Sequence, residues 1–119
     1  MPIRPASVFV ATLAWGVAYA GSGADSSAQI KRGRELADQV CTACHKVAPD
    51  QSNTPLLDPP APSFMEIAGR AGLDAKSLRH FVTSTHWKAG TEPLIMPNLS
   101  LTPEQATDVI HYLLSLRGR

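Results

Sequence analysis

Apolar positions along the chain recur at spacings of three and four residues, which is the period of an amphipathic helix. One such segment follows a capping pattern at Ser26 and Gln29 and ends at Cys41, and its apolar positions are Ile30, Gly33, Ala37 and Val40. The last segment begins with a capping box at Thr102, and its apolar positions are Ala106, Val109, Ile110, Leu113 and Leu114. No stretch alternates with a period of two for long enough to form a strand. The pattern therefore predicts an all-α fold whose first and last helices pack together.

Two shorter helices are predicted between these two. Ser63 and Glu66 form a capping box that opens a helix over residues 64–68, and Gly69 ends it. Asp74 can cap a further helix, and its inner face would carry Leu78, Phe81 and Val82.

The segments between the helices are predicted to be irregular. Residues 46–62 contain five prolines, and residues 86–101 contain Gly90, Pro93 and Pro97. Gly33, in contrast, lies inside the first helix, where glycine costs about 1 kcal/mol relative to alanine. We interpret Gly33 as the place where another helix crosses too closely for a Cβ atom.

The N-terminus has the pattern of a secretory signal peptide. One charge, Arg4, precedes an uncharged run over residues 6–20 that closes with Ala18-Tyr19-Ala20, a small-x-small cleavage pattern. The run is short for a membrane span of roughly 20 residues, so we expect cleavage and export to the periplasm. Membrane contact would follow only from an uncleaved anchor. The predicted organisation is a signal peptide, a flexible leader and one domain, over residues 1–20, 21–27 and 28–119.

Composition excludes several classes of protein. The 11 Lys and Arg residues against 10 Asp and Glu residues give a formal charge of +1, so no basic face for nucleic acid is expected. With 44% hydrophobic and 18% charged residues, the chain is neither disordered nor a multi-span membrane protein. Aromatic residues make up only 6%. Another apolar body is therefore expected to fill the core.

The segment Cys41-Thr42-Ala43-Cys44-His45 has the Cys-x-x-Cys-His spacing of haem attachment. Two thiols at this spacing can add to the two vinyl groups of a haem, and the adjacent imidazole can reach the iron. A thioredoxin-type motif would require a βαβ context, and a zinc site would require a fourth ligand at finger-like spacing. The motif predicts one haem c held by Cys41 and Cys44, with His45 as an iron ligand.

The iron then needs a sixth ligand or a reason to lack one. Met65, His80 and His111 fall on predicted helices, where packing or solvation explains them. Met96 lies in an irregular segment and is followed by Pro97, so it can cross the opposite face of the ring. His86 is the competing loop residue.

Ligation by His45 and Met96 would leave no iron position open to a substrate. This predicts electron transfer between a redox protein donor and acceptor, rather than an enzyme. The alternative is a five-coordinate haem protein for gas sensing or peroxidase-like chemistry.

With the haem motif, Met96-Pro97 and the final helix taken together, the chain resembles the small class I cytochromes c of bacteria over about residues 28–117. Gly33 and Tyr112 match the glycine and the aromatic residue of that family's helix crossing. Ala37 departs from the pattern, because many members have an aromatic residue there. The resemblance implies the cytochrome c fold and a role as a free carrier or as the cytochrome subunit of a dehydrogenase or oxidase complex.

The stretch from Pro62 to Arg70 resembles the family's Pro-x-Leu-x-Gly-Leu-x-Gly-Arg segment. The resemblance implies that the Pro62 carbonyl accepts a hydrogen bond from the His45 ring and that Phe64 lies against the haem. It also implies that Arg70 and Trp87 face haem propionates.

Overall fold

The computed structural model describes residues 1–2, 16, 22–84, 86–87 and 95–119. In chain order, the elements of this part are α1 Ser22–Val40, α2 Phe64–Ala68, α3 Ala75–Thr83, β1 His86–Trp87, β2 Ile95–Met96 and α4 Pro103–Ser115. The prediction of an all-α fold is confirmed. Most of the predicted signal peptide, residues 1–20, lies outside the described residues. Within the described ranges, no helix combines the length and the apolar character that a membrane span requires.

Helix α4 is the centre of the fold, because it contacts each of the other three helices. Its inner face is fully covered, and the buried residues are Ala106, Val109, Ile110, Tyr112 and Leu113. The segment that follows α1 adds Val47 and Ala48 to the same core, α2 adds Phe64 and Ala68, and α3 adds Leu78 and Val82.

The crossing of α1 and α4 occurs at Gly33, as predicted. A Cβ atom built on Gly33 would lie 1.9 Å from the Asp108 carbonyl oxygen and 2.8 Å from Cβ of Tyr112. Only glycine allows the two backbones to approach this closely. The Arg32 guanidinium donates two hydrogen bonds, of 2.9 and 3.2 Å, to the Asp108 carboxylate across the same crossing.

The three predicted caps of the later helices are all present. The side chains of Ser63, Asp74 and Thr102 each accept a hydrogen bond from the backbone N–H three residues on. In return, the side chain of that later residue accepts a hydrogen bond from the backbone N–H of the cap residue. These reciprocal bonds satisfy backbone donors that have no partner within the helix. Helix α2 has the predicted limits.

The predicted start of the first helix at Ser26 is wrong, because α1 begins at Ser22. The Ser-x-x-Gln pattern is also tolerated inside a helix and does not by itself mark its first turn. The predicted inward position of Val40 is also wrong, because Val40 is 38% exposed. The chain leaves the helix at this point, and Cys41, four residues after Ala37, is the buried position.

Two further expectations differ from the structure. Phe81 was expected on the inner face of α3, but it is 45% exposed and its ring stands edge-on to His80. It lies at the margin of the buried stripe formed by Leu78 and Val82. The segment expected to be irregular contains β1 and β2, which pair antiparallel. Two-residue strands are too short to produce an alternating pattern in the sequence.

Candidate haem-binding site

The haem motif occupies the turn that directly follows α1. The Cys41 N–H donates to the Ala37 carbonyl at 2.9 Å, and the N–H groups of Cys44 and His45 donate to the Cys41 carbonyl at 3.2 and 2.9 Å. Helical winding thus continues through the motif, and residues spaced at i, i+3 and i+4 share one face of such a turn. Cys41 and Cys44 form no disulfide with each other.

The two thiols differ in their surroundings. Cys41 is 7% exposed, whereas Cys44 is half-buried. Burial raises the pKa of the Cys41 thiol to about 12, and the nearby Cys44 and Asp38 act in the same direction. Cys41 is therefore a neutral group in an apolar setting, which suits a thioether and does not suit a thiolate ligand.

The His45 ring is oriented by the backbone of the proline-rich loop. Its Nδ1 lies 2.7 Å from the Pro62 carbonyl oxygen. A carbonyl can only accept a hydrogen bond, so Nδ1 carries a proton, and in the neutral imidazole the lone pair is then on Nε2. A neutral imidazole in this tautomer is a metal ligand through Nε2. The bond is the one that the family resemblance implied.

Two backbone hydrogen bonds tie the loop around Pro62 to the motif. The Ala61 N–H donates to the Cys44 carbonyl at 3.0 Å, and the Phe64 N–H donates to the Lys46 carbonyl at 2.9 Å. They lie on either side of the His45–Pro62 bond, so residues 44–46 and 61–64 form a short ladder, which we call the histidine ladder. This ladder fixes the acceptor opposite the imidazole.

Phe64 connects the histidine ladder to the core. It is 4% exposed, and its ring lies 5.6 Å from the His45 ring in an edge-on arrangement and 6.3 Å from the Tyr112 ring. Aromatic rings at such separations stabilise one another and limit each other's rotation. The imidazole therefore has a packed neighbour as well as a hydrogen-bond acceptor.

Tyr112 and Arg34 hold the segment that follows the haem motif. The Tyr112 hydroxyl donates to the Val47 carbonyl at 2.7 Å. Burial raises the pKa of Tyr112, so this hydroxyl keeps its proton. Arg34 donates to both carboxylate oxygens of Asp50, at 2.7 and 2.9 Å. Each partner is more than 15 residues distant along the chain, and no sequence pattern signals such pairs.

Met96 lies in β2 and is half-buried. In the antiparallel pair, His86 is the backbone partner of Met96, and Trp87 is the partner of Ile95. The two rival loop residues for the sixth iron position thus lie opposite one another in the backbone register. The side chain of Trp87, expected near a propionate, lies outside the described part.

The other candidates for the sixth position lie on helices. His80 is exposed on α3 and His111 is exposed on α4. Met65 is partly buried and packs against the core.

Arg70 and Arg117 line one cleft of about 490 Å³ at the end of α2. Arg70 is exposed in the turn after α2, and its propionate role stays a prediction. Arg117 donates from Nε to the Ala68 carbonyl at 3.1 Å and from Nη2 to the Leu73 carbonyl at 2.8 Å. It thereby caps the buried end of α2 and holds the turn before α3. The sequence offered no signal for this contact.

The donor groups fit haem attachment better than a zinc site. Among the described residues, no three His, Cys, Asp or Glu side chains converge as a metal cluster. Cys41, Cys44 and His45 therefore do not gather around one point, as tetrahedral zinc would require. Two cysteine side chains on one turn, with an imidazole oriented through Nδ1, match the chemistry of a covalently bound haem.

Comparison with known proteins agrees with this geometry. The sequence model of the cytochrome c family matches residues 30–117. Cytochrome c-552 of Bradyrhizobium diazoefficiens is 31% identical over 91 residues, which cover 76% of this chain and 78% of that protein. No solved structure gives a significant match. The chain therefore belongs to the cytochrome c family, whose cofactor is a covalently attached haem c with its iron.

Proposed function

We propose that this protein is a periplasmic electron carrier whose single haem c is bound through Cys41 and Cys44, with His45 and Met96 as axial ligands. Membership of the cytochrome c family makes it an electron-transfer haem protein. The observation that carries the finer proposal is the 2.7 Å hydrogen bond between His45 Nδ1 and the Pro62 carbonyl. It leaves Nε2 as the free donor of an oriented imidazole.

The bound haem supplies a reversible Fe(III)/Fe(II) couple. Cys41 and Cys44 tether the cofactor on one face of the turn after α1. His45 would bind the iron through Nε2, and the Pro62 carbonyl would raise the basicity of the ring by accepting a hydrogen bond from Nδ1–H. Phe64 packs beside the imidazole and limits its rotation. These groups orient and insulate one side of the cofactor without taking part in bond making during a redox cycle.

Met96 is the proposed ligand on the other side. It is half-buried and lies in a short strand that Pro97 ends. A thioether ligand raises the reduction potential relative to a second imidazole. Two protein ligands would leave no iron position for an exogenous molecule, which suits a carrier and opposes sensing or peroxidase-like chemistry.

The proposed site of action is the periplasm, because the N-terminal pattern of residues 1–20 is that of an exported protein. The partners would be a redox protein donor and acceptor that meet the carrier through small, transient contacts. A free carrier and the cytochrome subunit of an oxidoreductase complex are both compatible with a near-neutral chain.

Two measurements on protein expressed with haem maturation machinery test the proposal. Acid–acetone extraction should leave haem on the wild-type chain, and Cys44→Ala should retain it through one thioether or fail to mature. Unchanged two-point attachment in Cys44→Ala would contradict the assignment of the cysteines. Carbon monoxide should bind the reduced wild type poorly. Rapid binding would favour the five-coordinate alternative.

A further inference from the structure

We infer that the Tyr112 hydroxyl is a positioning group for the axial histidine and thereby tunes the reduction potential. This inference rests on the proposed ligation by His45. The hydroxyl does not touch the imidazole. It acts through the backbone segment that carries the imidazole and through the ladder that holds the imidazole's acceptor.

The Tyr112 hydroxyl binds the backbone shortly after His45. Tyr112 is 4% exposed, and its Oη donates to the Val47 carbonyl, two residues after His45. Val47 is fully buried, and its N–H donates at 2.7 Å to Oε1 of Gln51. The N–H and the carbonyl of Val47 thus both have side-chain partners. They anchor the segment that follows His45 at this one residue.

Val47 is linked to the His45 imidazole through the histidine ladder. Residues 44–46 hold residues 61–64 through the two backbone bonds of the histidine ladder. Val47 is the next residue after this ladder, so its anchor sets the position of the whole ladder relative to α4. The Nδ1 hydrogen bond from His45 to Pro62 lies between the two rungs.

A stack of rings also links Tyr112 to His45. The Tyr112 ring contacts Phe64, and Phe64 contacts His45. One residue of α4 therefore contacts both sides of this region. Its hydroxyl binds Val47, which directly follows residues 44–46, and its ring packs against Phe64 in residues 61–64. Removal of the hydroxyl alone keeps the ring stack but frees residues 45–47 to move away from Pro62.

A weaker bond to Pro62 lowers the basicity of the imidazole and so disfavours Fe(III). In Tyr112→Phe we expect the ratio of reduced to oxidised protein at a fixed ambient potential to rise about threefold. This is a smaller change than the roughly 10- to 100-fold loss of metal affinity or activity that follows when the hydrogen-bond partner of a metal ligand is itself mutated. We also expect the His45 Nδ1 proton to exchange with solvent about tenfold faster.

The experiment compares Tyr112→Phe with Ile110→Val in the haem-loaded protein, by redox titration and by proton NMR of the imidazole N–H. Ile110 is buried on the same helix, so its truncation lowers the melting temperature while the hydrogen bonds of the histidine ladder and of Val47 all keep their partners. We expect Ile110→Val to leave the potential and the exchange rate at their wild-type values. Gln51→Met, which frees the other backbone group of Val47, should shift both in the direction of Tyr112→Phe.

A lower melting temperature in Tyr112→Phe, with potential and exchange matching Ile110→Val, would show a merely structural hydroxyl and overturn the inference. If Tyr112→Phe does not mature, wild-type values in Gln51→Met would overturn it equally. A wild-type Nδ1 proton that exchanges as fast as in a free imidazole would instead contradict the proposed ligation geometry of His45.

Discussion

The two sides of the proposed iron site are built very differently. On the side of His45, the imidazole has a backbone acceptor at Pro62 and a packed neighbour at Phe64. Val47, the residue next to the ladder that carries both, is bonded to α4. On the side of Met96, the described support is a pair of two-residue strands. Two-stranded pairs are marginally stable on their own.

This difference indicates that the polypeptide positions His45, whereas the cofactor would contribute more to the position of Met96. The polypeptide itself sets the tautomer and orientation of His45, because every group that holds the ring belongs to the core or to the histidine ladder. In the proposed site, Met96 would depend much more on its bond to the iron for its position. The account therefore predicts that changes in the core affect the His45 side first, and that mild perturbation releases Met96 first.

The largest effect on stability is expected from a substitution that disrupts the crossing of α1 and α4, which supports the His45 side. Gly33→Ala should lower the free energy of unfolding by about 3 kcal/mol or more, because overpacking at a backbone contact cannot be relieved by a side-chain rotation. Gly69→Ala is the matched control, because a Cβ atom at position 69 would lie 3.5 Å from the Met65 carbonyl oxygen, which is an ordinary van der Waals contact. It should change stability by about 0.5 kcal/mol at most. Equal denaturant midpoints for the two variants would contradict the crossing.

The next effect concerns Arg117, which supplies donors to two backbone carbonyls at the ends of α2 and of the following turn. Arg117→Met should cost about 1–3 kcal/mol, because the buried Ala68 carbonyl would lose its donor. Arg119→Met removes the same charge two residues later and should have a much smaller effect. If chemical denaturation shows a similar loss of stability in both variants, the positive charge of Arg117 and not its hydrogen bonds to the two carbonyls would account for its contribution.

A third prediction sharpens the contrast between the two axial ligands. In a guanidinium titration of the oxidised protein, the weak red sulfur-to-iron absorption should disappear at a lower concentration than the far-UV circular dichroism of the helices. The reason is that sub-global opening begins where few packed contacts must be lost. Coincident transitions would contradict the proposed difference in support.

The smallest effect is electrostatic and involves the pair that flanks the haem motif. The hydrogen bond from Arg34 lowers the pKa of Asp50, and hydrogen bonds at the caps lower the pKa values of Glu66 and Asp74. These carboxylates therefore contribute stability above the unfolded pKa of about 4, and the contribution is lost as the pH falls through their folded values.

Because all three carboxylates are exposed, we expect only a shallow decline of the melting temperature with acidification. Asp50→Asn and Arg34→Met should each make that decline shallower by a similar amount. If the melting temperature of both variants declines with pH as in the wild type, the Arg34–Asp50 pair does not contribute to the pH dependence of stability.

The sequence predicted those parts of the fold that depend on local patterns. The limits of α2 follow from Ser63, Glu66 and Gly69, which lie within seven residues of one another. Helix α4 follows from its cap and its unbroken apolar stripe, and the crossing follows from a glycine at a position where a helix disfavours it.

The sequence did not predict contacts between residues far apart along the chain. Tyr112 and Val47 are 65 residues apart, and Arg117 and Ala68 are 49 residues apart. Both partners in each pair are ordinary residues for their helix or loop, so only the tertiary fold brings them together. The same holds for the strand pair, in which two residues on each side leave no period to detect.

The most direct test of the account is the visible spectrum of the oxidised protein in the wild type, Met96→Leu and His86→Leu. These two residues face one another in the backbone register and are the rival loop ligands. The account predicts a low-spin haem with the red sulfur-to-iron band in the wild type and in His86→Leu, and loss of the band in Met96→Leu. Absence of the band from the wild type, or its loss in His86→Leu alone, would contradict ligation by Met96.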